Sequence, residues 1–89
     1  MQRADTIEDP EALALRALAW TLSDADRAMR LLSLTGLTPD DLRERIGTRP
    51  VLAAGLGFLA AHEPDLVACA GHLGVKPEAL ARALAELER

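Results

Sequence analysis

Aromatic residues are almost absent from this chain of 89 residues: Trp20 and Phe58 are the only two, and there is no tyrosine. The β-branched residues that strands prefer are also scarce, whereas leucine and alanine, which favour helices, supply most of the apolar positions. The composition therefore predicts an all-α fold, and the length predicts a single small domain.

A single cysteine, Cys69, excludes an internal disulfide and favours a reducing compartment. No apolar run approaches the roughly 18 residues that a membrane-spanning helix needs, and the first residues lack the apolar stretch of a signal peptide. A net charge of −4 argues against non-specific attraction to nucleic acid or anionic membranes. We therefore expect a cytoplasmic protein that does not contact a membrane.

The clearest helix boundaries surround Gly36. This glycine supplies a left-handed helix end, Thr38 the next N-cap, and Pro39 a first helical position that needs no N–H donor. The same arrangement recurs at Gly74 and Pro77. Further helix starts are predicted at Asp9, Ser23, Thr48 and Glu63. The apolar spacing predicts that the buried side chains include Leu15, Leu18, Trp20, Leu22, Met29, Ile46 and Val67.

A shift of about 38 residues aligns the chain with itself, pairing Gly36 with Gly74 and Trp20 with Phe58. This period is typical of helical repeats. After a polar lead-in (residues 1–8), residues 9–89 are predicted to form one compact orthogonal bundle of five to six short helices. It would comprise two similar three-helix halves, residues 10–47 and 48–87.

Two glycines, Gly55 and Gly57, interrupt the predicted fourth helix. Each destabilises a helix by about 1 kcal/mol relative to alanine. Either a neighbouring helix approaches their backbone closely, or they form a hinge or contact a ligand. Close approach of a neighbouring helix is the favoured interpretation.

The segment 66–84 is similar to a bacterial helix-turn-helix, with the small residue Ala70 four positions before Gly74. Lys76 and Arg82 would then lie on the exposed face of the DNA-reading helix. The same pattern also describes any two helices that meet at about a right angle. The acidic balance of the chain favours this second interpretation.

No pattern of residues indicates catalysis or a cofactor: there is no glycine-rich phosphate loop and no nucleophile with a histidine base. Cys69 and His72 have a metal-ligand spacing, but no second pair of ligands accompanies them, and a buried cysteine beside a surface histidine is the favoured interpretation. We therefore expect no enzyme activity, no metal, no cofactor and no small-molecule substrate.

Five arginines gather around the predicted second and third helices and form either a solvated face or a surface that docks a partner. They are Arg27, Arg30, Arg43, Arg45 and Arg49.

Three stretches together resemble an uncharacterised bacterial family, the domain of unknown function 3572. They are residues 14–20 (ALRALAW), 34–43 (LTGLTPDDLR) and 52–59 (LAAGLGFL). The resemblance extends over nearly the whole chain from Ile7 onward. It implies a short, helical, cytosolic protein and assigns no activity, cofactor or site residue.

The leading functional hypothesis is a non-enzymatic module that binds another protein or a second copy of itself as a homodimer. The alternative is the helix-turn-helix DNA-binding module centred on residues 66–84.

Overall fold

The computed structural model describes residues 9–89, which form six helices and, within that range, no strand. The predicted lead-in, residues 1–8, lies outside the described residues. The all-α prediction is confirmed. The helices are α1 (Pro10–Leu22), α2 (Ala25–Thr35), α3 (Pro39–Arg45), α4 (Arg49–Ala60), α5 (Glu63–Leu73) and α6 (Pro77–Leu87).

Side-chain caps fix the starts of α1 and α3 where the sequence predicts them. The carboxylate of Asp9 accepts two backbone N–H groups of the first turn of α1, each at 3.1 Å. Thr38 and Asp41 form a reciprocal capping box, in which each side chain accepts the backbone N–H of the other residue at 3.0 and 2.9 Å. These hydrogen bonds also lower the pKa of Asp41 below its ordinary value. Both helices therefore begin at a defined residue.

The start of α2 differs from the prediction by one residue. Its N-cap is Asp24, whose carboxylate accepts the backbone N–H of Arg27 at 3.0 Å. The predicted cap, Ser23, ends α1 instead and donates its hydroxyl to the carbonyl of Trp20 at 2.6 Å. A carboxylate complements the helix dipole better than a hydroxyl does, which explains why Asp24 takes the capping position.

Both predicted glycine turns are confirmed. Gly36 and Gly74 have φ values of +78° and +75°, and they are the only residues with positive φ between 9 and 89. Past Gly74, the N–H of Val75 donates to the carbonyl of Ala70 at 3.0 Å, as in a Schellman motif. Each glycine therefore turns the chain between two helices.

The core lies where α1, α4 and α6 pack against one another, with α2 and α5 along the sides of this layer. Its largest fully buried apolar side chains include Leu18, Leu52, Leu56, Leu59 and Leu80.

Four residues predicted to be buried are exposed: Leu15 by 43%, Met29 by 67%, Val67 by 49% and Ile46 by 37%. Leu15 is exposed because the buried face of α1 follows its alanines as well as its leucines. The residues of that face are Leu13, Ala14, Ala17, Leu18 and Thr21.

The two halves have the same order of helices but differ in packing. In the second half, α6 buries Leu80, Ala83 and Leu87 in the central layer. The corresponding helix of the first half, α3, buries no residue, and Ile46 after it is 37% exposed rather than buried as predicted. An internal duplication stays a prediction, because this comparison does not test a common origin.

The two glycines of α4 lie in different surroundings. A Cβ atom added at Gly55 would lie 3.1 Å from Cδ1 of Leu18, so α1 does approach this glycine closely. A Cβ atom at Gly57 would meet nothing within 4 Å. Close approach therefore explains Gly55, and nothing within residues 9–89 explains Gly57.

Alanine at these two positions should have different effects. We expect Gly57→Ala to raise the free energy of unfolding by about 0.5–1 kcal/mol, because the helix gains propensity without a clash. Gly55→Ala should be less stable than Gly57→Ala, because Leu18 must move. Guanidinium unfolding followed by circular dichroism measures both variants. Equal stabilisation would contradict the claim that Leu18 restricts Gly55.

Candidate functional site

A groove of about 380 Å³ lies between the C-terminal ends of α1 and α5 and is open to solvent. It joins two segments that lie about 50 residues apart in the sequence. Its lining residues are Arg16, Ala19, Trp20, Ser23, His72 and Leu73.

Trp20 is half-buried, and Arg27 covers its ring. The central guanidinium carbon of Arg27 lies 3.7 Å from the ring centroid, within the range of a cation–π contact. The same guanidinium donates to the backbone carbonyl of Trp20 at 2.9 Å and to the hydroxyl of Ser23 at 3.2 Å. The first residues of α2 thus hold the indole in place at the groove.

Arg16 joins the two walls of the groove. Its guanidinium donates to the backbone carbonyl of Leu73 at 3.1 Å, across 57 positions of sequence. The carbonyls of the last turn of a helix have no partner within that helix. Arg16 therefore supplies a hydrogen-bond donor to the last turn of α5 and links α1 to α5.

Cys69 lies on the buried side of α5 and is completely buried. Burial raises the pKa of its thiol from the ordinary value of 9.0 to about 11, while the positive charges of Arg27 and Arg16 act in the opposite direction. The thiol is therefore protonated at neutral pH.

Cys69 lies in the core and His72 at the surface, which is the arrangement that the sequence favours over a metal pair. Across residues 9–89, no three or more histidine, cysteine, aspartate or glutamate side chains are grouped so that they could hold a metal ion.

Four of the five arginines predicted as an interaction surface lie against carboxylates. Those ion pairs tie α2 to α5 and α4 to α1, or stay within α3, so much of the positive charge is offset. The pairs are Arg30 with Asp65 (2.9 Å), Arg43 with Asp40, Arg45 with Asp41 (3.8 Å) and Arg49 with Glu11 (3.2 Å).

Arg27, the fifth of these arginines, is half-buried rather than facing solvent, and it lies at the groove. Whether the five residues dock a partner stays a prediction.

Lys76 and Arg82, the predicted nucleic-acid contacts, are exposed at the start and on the outer face of α6. Glu78 and Glu86 are exposed on the same helix, so its solvent side carries both signs of charge. The inner side of α6 belongs to the central layer. Ala70 is buried, consistent with a close approach of α5 and α6.

The groove itself was not predicted. Arg16, Trp20 and Ser23 are spaced by four and three residues, which places them on one face of a helix. That spacing could have indicated a mixed polar and aromatic surface. No sequence pattern indicates that His72 and Leu73 face them.

Among the described residues, no single helix has the length and hydropathy of a membrane span. The pair α4 and α5 meets both criteria only when taken together, and it is bent by 113°.

A family model described as "Protein of unknown function (DUF3572)" matches residues 7–89. The predicted resemblance is thereby confirmed, and the chain belongs to this family. No curated protein and no solved structure matches the chain.

The buried thiol predicts a loss of stability at high pH. In the unfolded chain Cys69 ionises near its ordinary pKa of 9.0, and in the folded chain only near 11. Folding therefore favours the protonated thiol, and the stability that this contributes is complete below pH 9 and is lost as the pH rises towards 11. Urea unfolding at pH 8, 9, 10 and 11 measures it. Cys69→Ala, which has no thiol to ionise, should lose less stability over this range. An equal loss in both proteins would contradict the assignment.

Proposed function

We propose that this family member is a non-enzymatic module that binds another protein in the groove between α1 and α5. One observation carries the proposal: the only tryptophan of the chain borders an open groove, and Arg27 holds its ring. The partner is either a different protein or a second copy of this chain. The cytoplasm stays the predicted location, on the composition of the sequence.

The chemistry of the groove supports binding. Tryptophan and arginine are the residues that most often dominate the energy of protein interfaces. Trp20 contacts a guanidinium that is itself held by two hydrogen bonds. A side chain that is already ordered loses less entropy when a partner binds, which strengthens association.

The shape of the groove favours a protein segment over a small molecule. Sites for small ligands enclose most of the surface of the ligand. This groove is more open than enclosed, so it suits a segment whose parent protein covers the exposed part.

The nucleophilic groups near the groove favour binding over catalysis. The hydroxyl of Ser23 donates its proton to the carbonyl of Trp20 at 2.6 Å, rather than to a side-chain base. The thiol of Cys69 is buried and protonated. Neither group is activated for attack on a substrate.

No observation within residues 9–89 favours the DNA-binding alternative. Four of the five arginines that could have extended a basic stripe from Lys76 and Arg82 lie against carboxylates, which weakens the field that would attract phosphates. It is therefore not proposed.

A variant that fills the groove tests the proposal. Ala19 is exposed on α1 and lines the groove, so Ala19→Tyr should block docking without disturbing the core. Ala85→Tyr, at an exposed position of α6 that does not line the groove, is the matched control. Partners captured from an extract of the source cells should include a protein that binds wild type and Ala85→Tyr but is lost with Ala19→Tyr.

Self-association is measured on the same three proteins by light scattering over a range of concentrations. A homodimer through the groove should appear in wild type and Ala85→Tyr and dissociate in Ala19→Tyr. If every captured protein binds Ala19→Tyr as well as wild type, and wild type stays monomeric, the groove is not the docking site.

A further inference from the structure

A second surface lies on the outer side of α3, and no residue of this helix lines the groove. We infer that this side of α3 pairs with the same side of a second copy of the chain, the two helices lying antiparallel across a twofold axis. The residues of this α3 surface are Pro39, Asp40, Arg43 and Ile46, all of them exposed. Their spacing of three and four residues places them side by side on a helix.

α3 is the helix that the bundle covers least. Each of the other five helices between residues 9 and 89 buries at least one residue, and α3 buries none. Leu42 packs against the core from the inner side of α3, while the residues of the α3 surface are exposed to solvent. The outer side of this helix is therefore accessible to a partner.

Apolar side chains lie at both ends of α3. Pro39 begins the helix, and Ile46, just after it, is 37% exposed. Leu34, in the last turn of the preceding helix, is the most exposed large apolar side chain of residues 9–89, at 74%. Covering such side chains removes apolar area from water, which favours association.

The charges of α3 identify the partner as a second copy. The first turn is acidic, with Asp40 and Asp41, and the last turn is basic, with Arg43 and Arg45. A twofold interface brings the same patch of both copies together. When two such helices lie antiparallel, the acidic end of each one meets the basic end of the other, so Asp40 faces the partner's Arg43 twice. This complementarity selects the antiparallel orientation over the parallel one.

The ion pair within α3 is compatible with this pairing. In the single chain Arg43 lies against Asp40 of its own helix, and the two side chains are 71% and 75% exposed. An exposed pair of this kind contributes at most about 1 kcal/mol, so its side chains can reorient at little cost. A carboxylate also has acceptor positions for more than one guanidinium. Each Asp40 can therefore contact its own Arg43 and the partner's Arg43 together.

Sedimentation equilibrium of the full chain tests the pairing. Because α3 has seven residues and is about 10 Å long, the interface is small, and we expect a weak dimer with a Kd of about 0.1–1 mM. Ile46→Lys should weaken the dimer at least about tenfold, since it replaces apolar area in both copies. Val67→Lys, at an exposed apolar position of α5, is the matched control and should dimerise like wild type.

Two charge reversals test the orientation. Asp40→Arg and Arg43→Asp each place like charges against one another twice, so each variant alone should dimerise at least about fivefold more weakly than wild type. In an equimolar mixture of the two variants, an antiparallel heterodimer has opposite charges at both contacts. The mixture should therefore associate at least about fivefold more tightly than either variant alone. Circular dichroism of each variant checks that its helix content is unchanged.

Three outcomes would overturn the α3 pairing. They are a wild type that stays monomeric at about 2 mM, above the expected Kd, equal effects of Ile46→Lys and Val67→Lys, and a mixture that associates no more tightly than either charge variant alone. A dimer that persists in Ala19→Tyr and is lost in Ile46→Lys would support the α3 pairing and leave the groove to a different protein. Failure of the groove would instead appear as unchanged partner capture by Ala19→Tyr.

Discussion

The close packing of α1 against α4 is the constraint on which the rest of the structure depends. At their contact Gly55 leaves just enough room for Leu18, and α6 then packs against both helices to complete the layer. Because leucine and alanine fill most of this core, its stability comes from close contact along helix faces rather than from a few large side chains. α2 and α5 can then lie along the sides of a layer that is already complete.

Arginine side chains position the outer helices relative to that layer. Arg16 reaches the end of α5, Arg27 ties the start of α2 to the end of α1, and Arg30 reaches Asp65 at the start of α5. Exposed contacts of this kind contribute little free energy each. Their effect is geometric, since together they fix the spacing of α1 and α5 and so the width of the groove.

Local chemistry explains which features could be predicted from the sequence. Gly36, Gly74, Thr38 and Asp9 act on their immediate neighbours, so their roles follow from residue type and spacing. Burial depends on tertiary contacts. The exposure of Leu15 and Met29 shows that the helical spacing of apolar residues does not by itself determine which helix face meets the core. Of these features, the groove is the one that the sequence predicts least.

A groove whose walls come from α1 and α5 exists only after distant segments meet. The apolar spacing of α1 predicts that Trp20 is buried, whereas the structure leaves it half-buried at the groove. The side chain of Arg27, from the next helix, covers the ring, with its central guanidinium carbon 3.7 Å from the ring centroid. Predicting this contact would require the conformation of the turn between α1 and α2.

Arg49 has a role apart from the groove. One guanidinium nitrogen lies 3.2 Å from the carboxylate of Glu11, in the first turn of α1, and the other donates at 2.9 Å to the backbone carbonyl of Glu86, in the last turn of α6. The start of α1 therefore lies beside the end of α6. A short linker could join them head to tail, or the bundle could be inserted into a surface loop of a host protein, with little loss of loop entropy. The architecture is thus suited to circular permutation and to insertion as a unit into another protein.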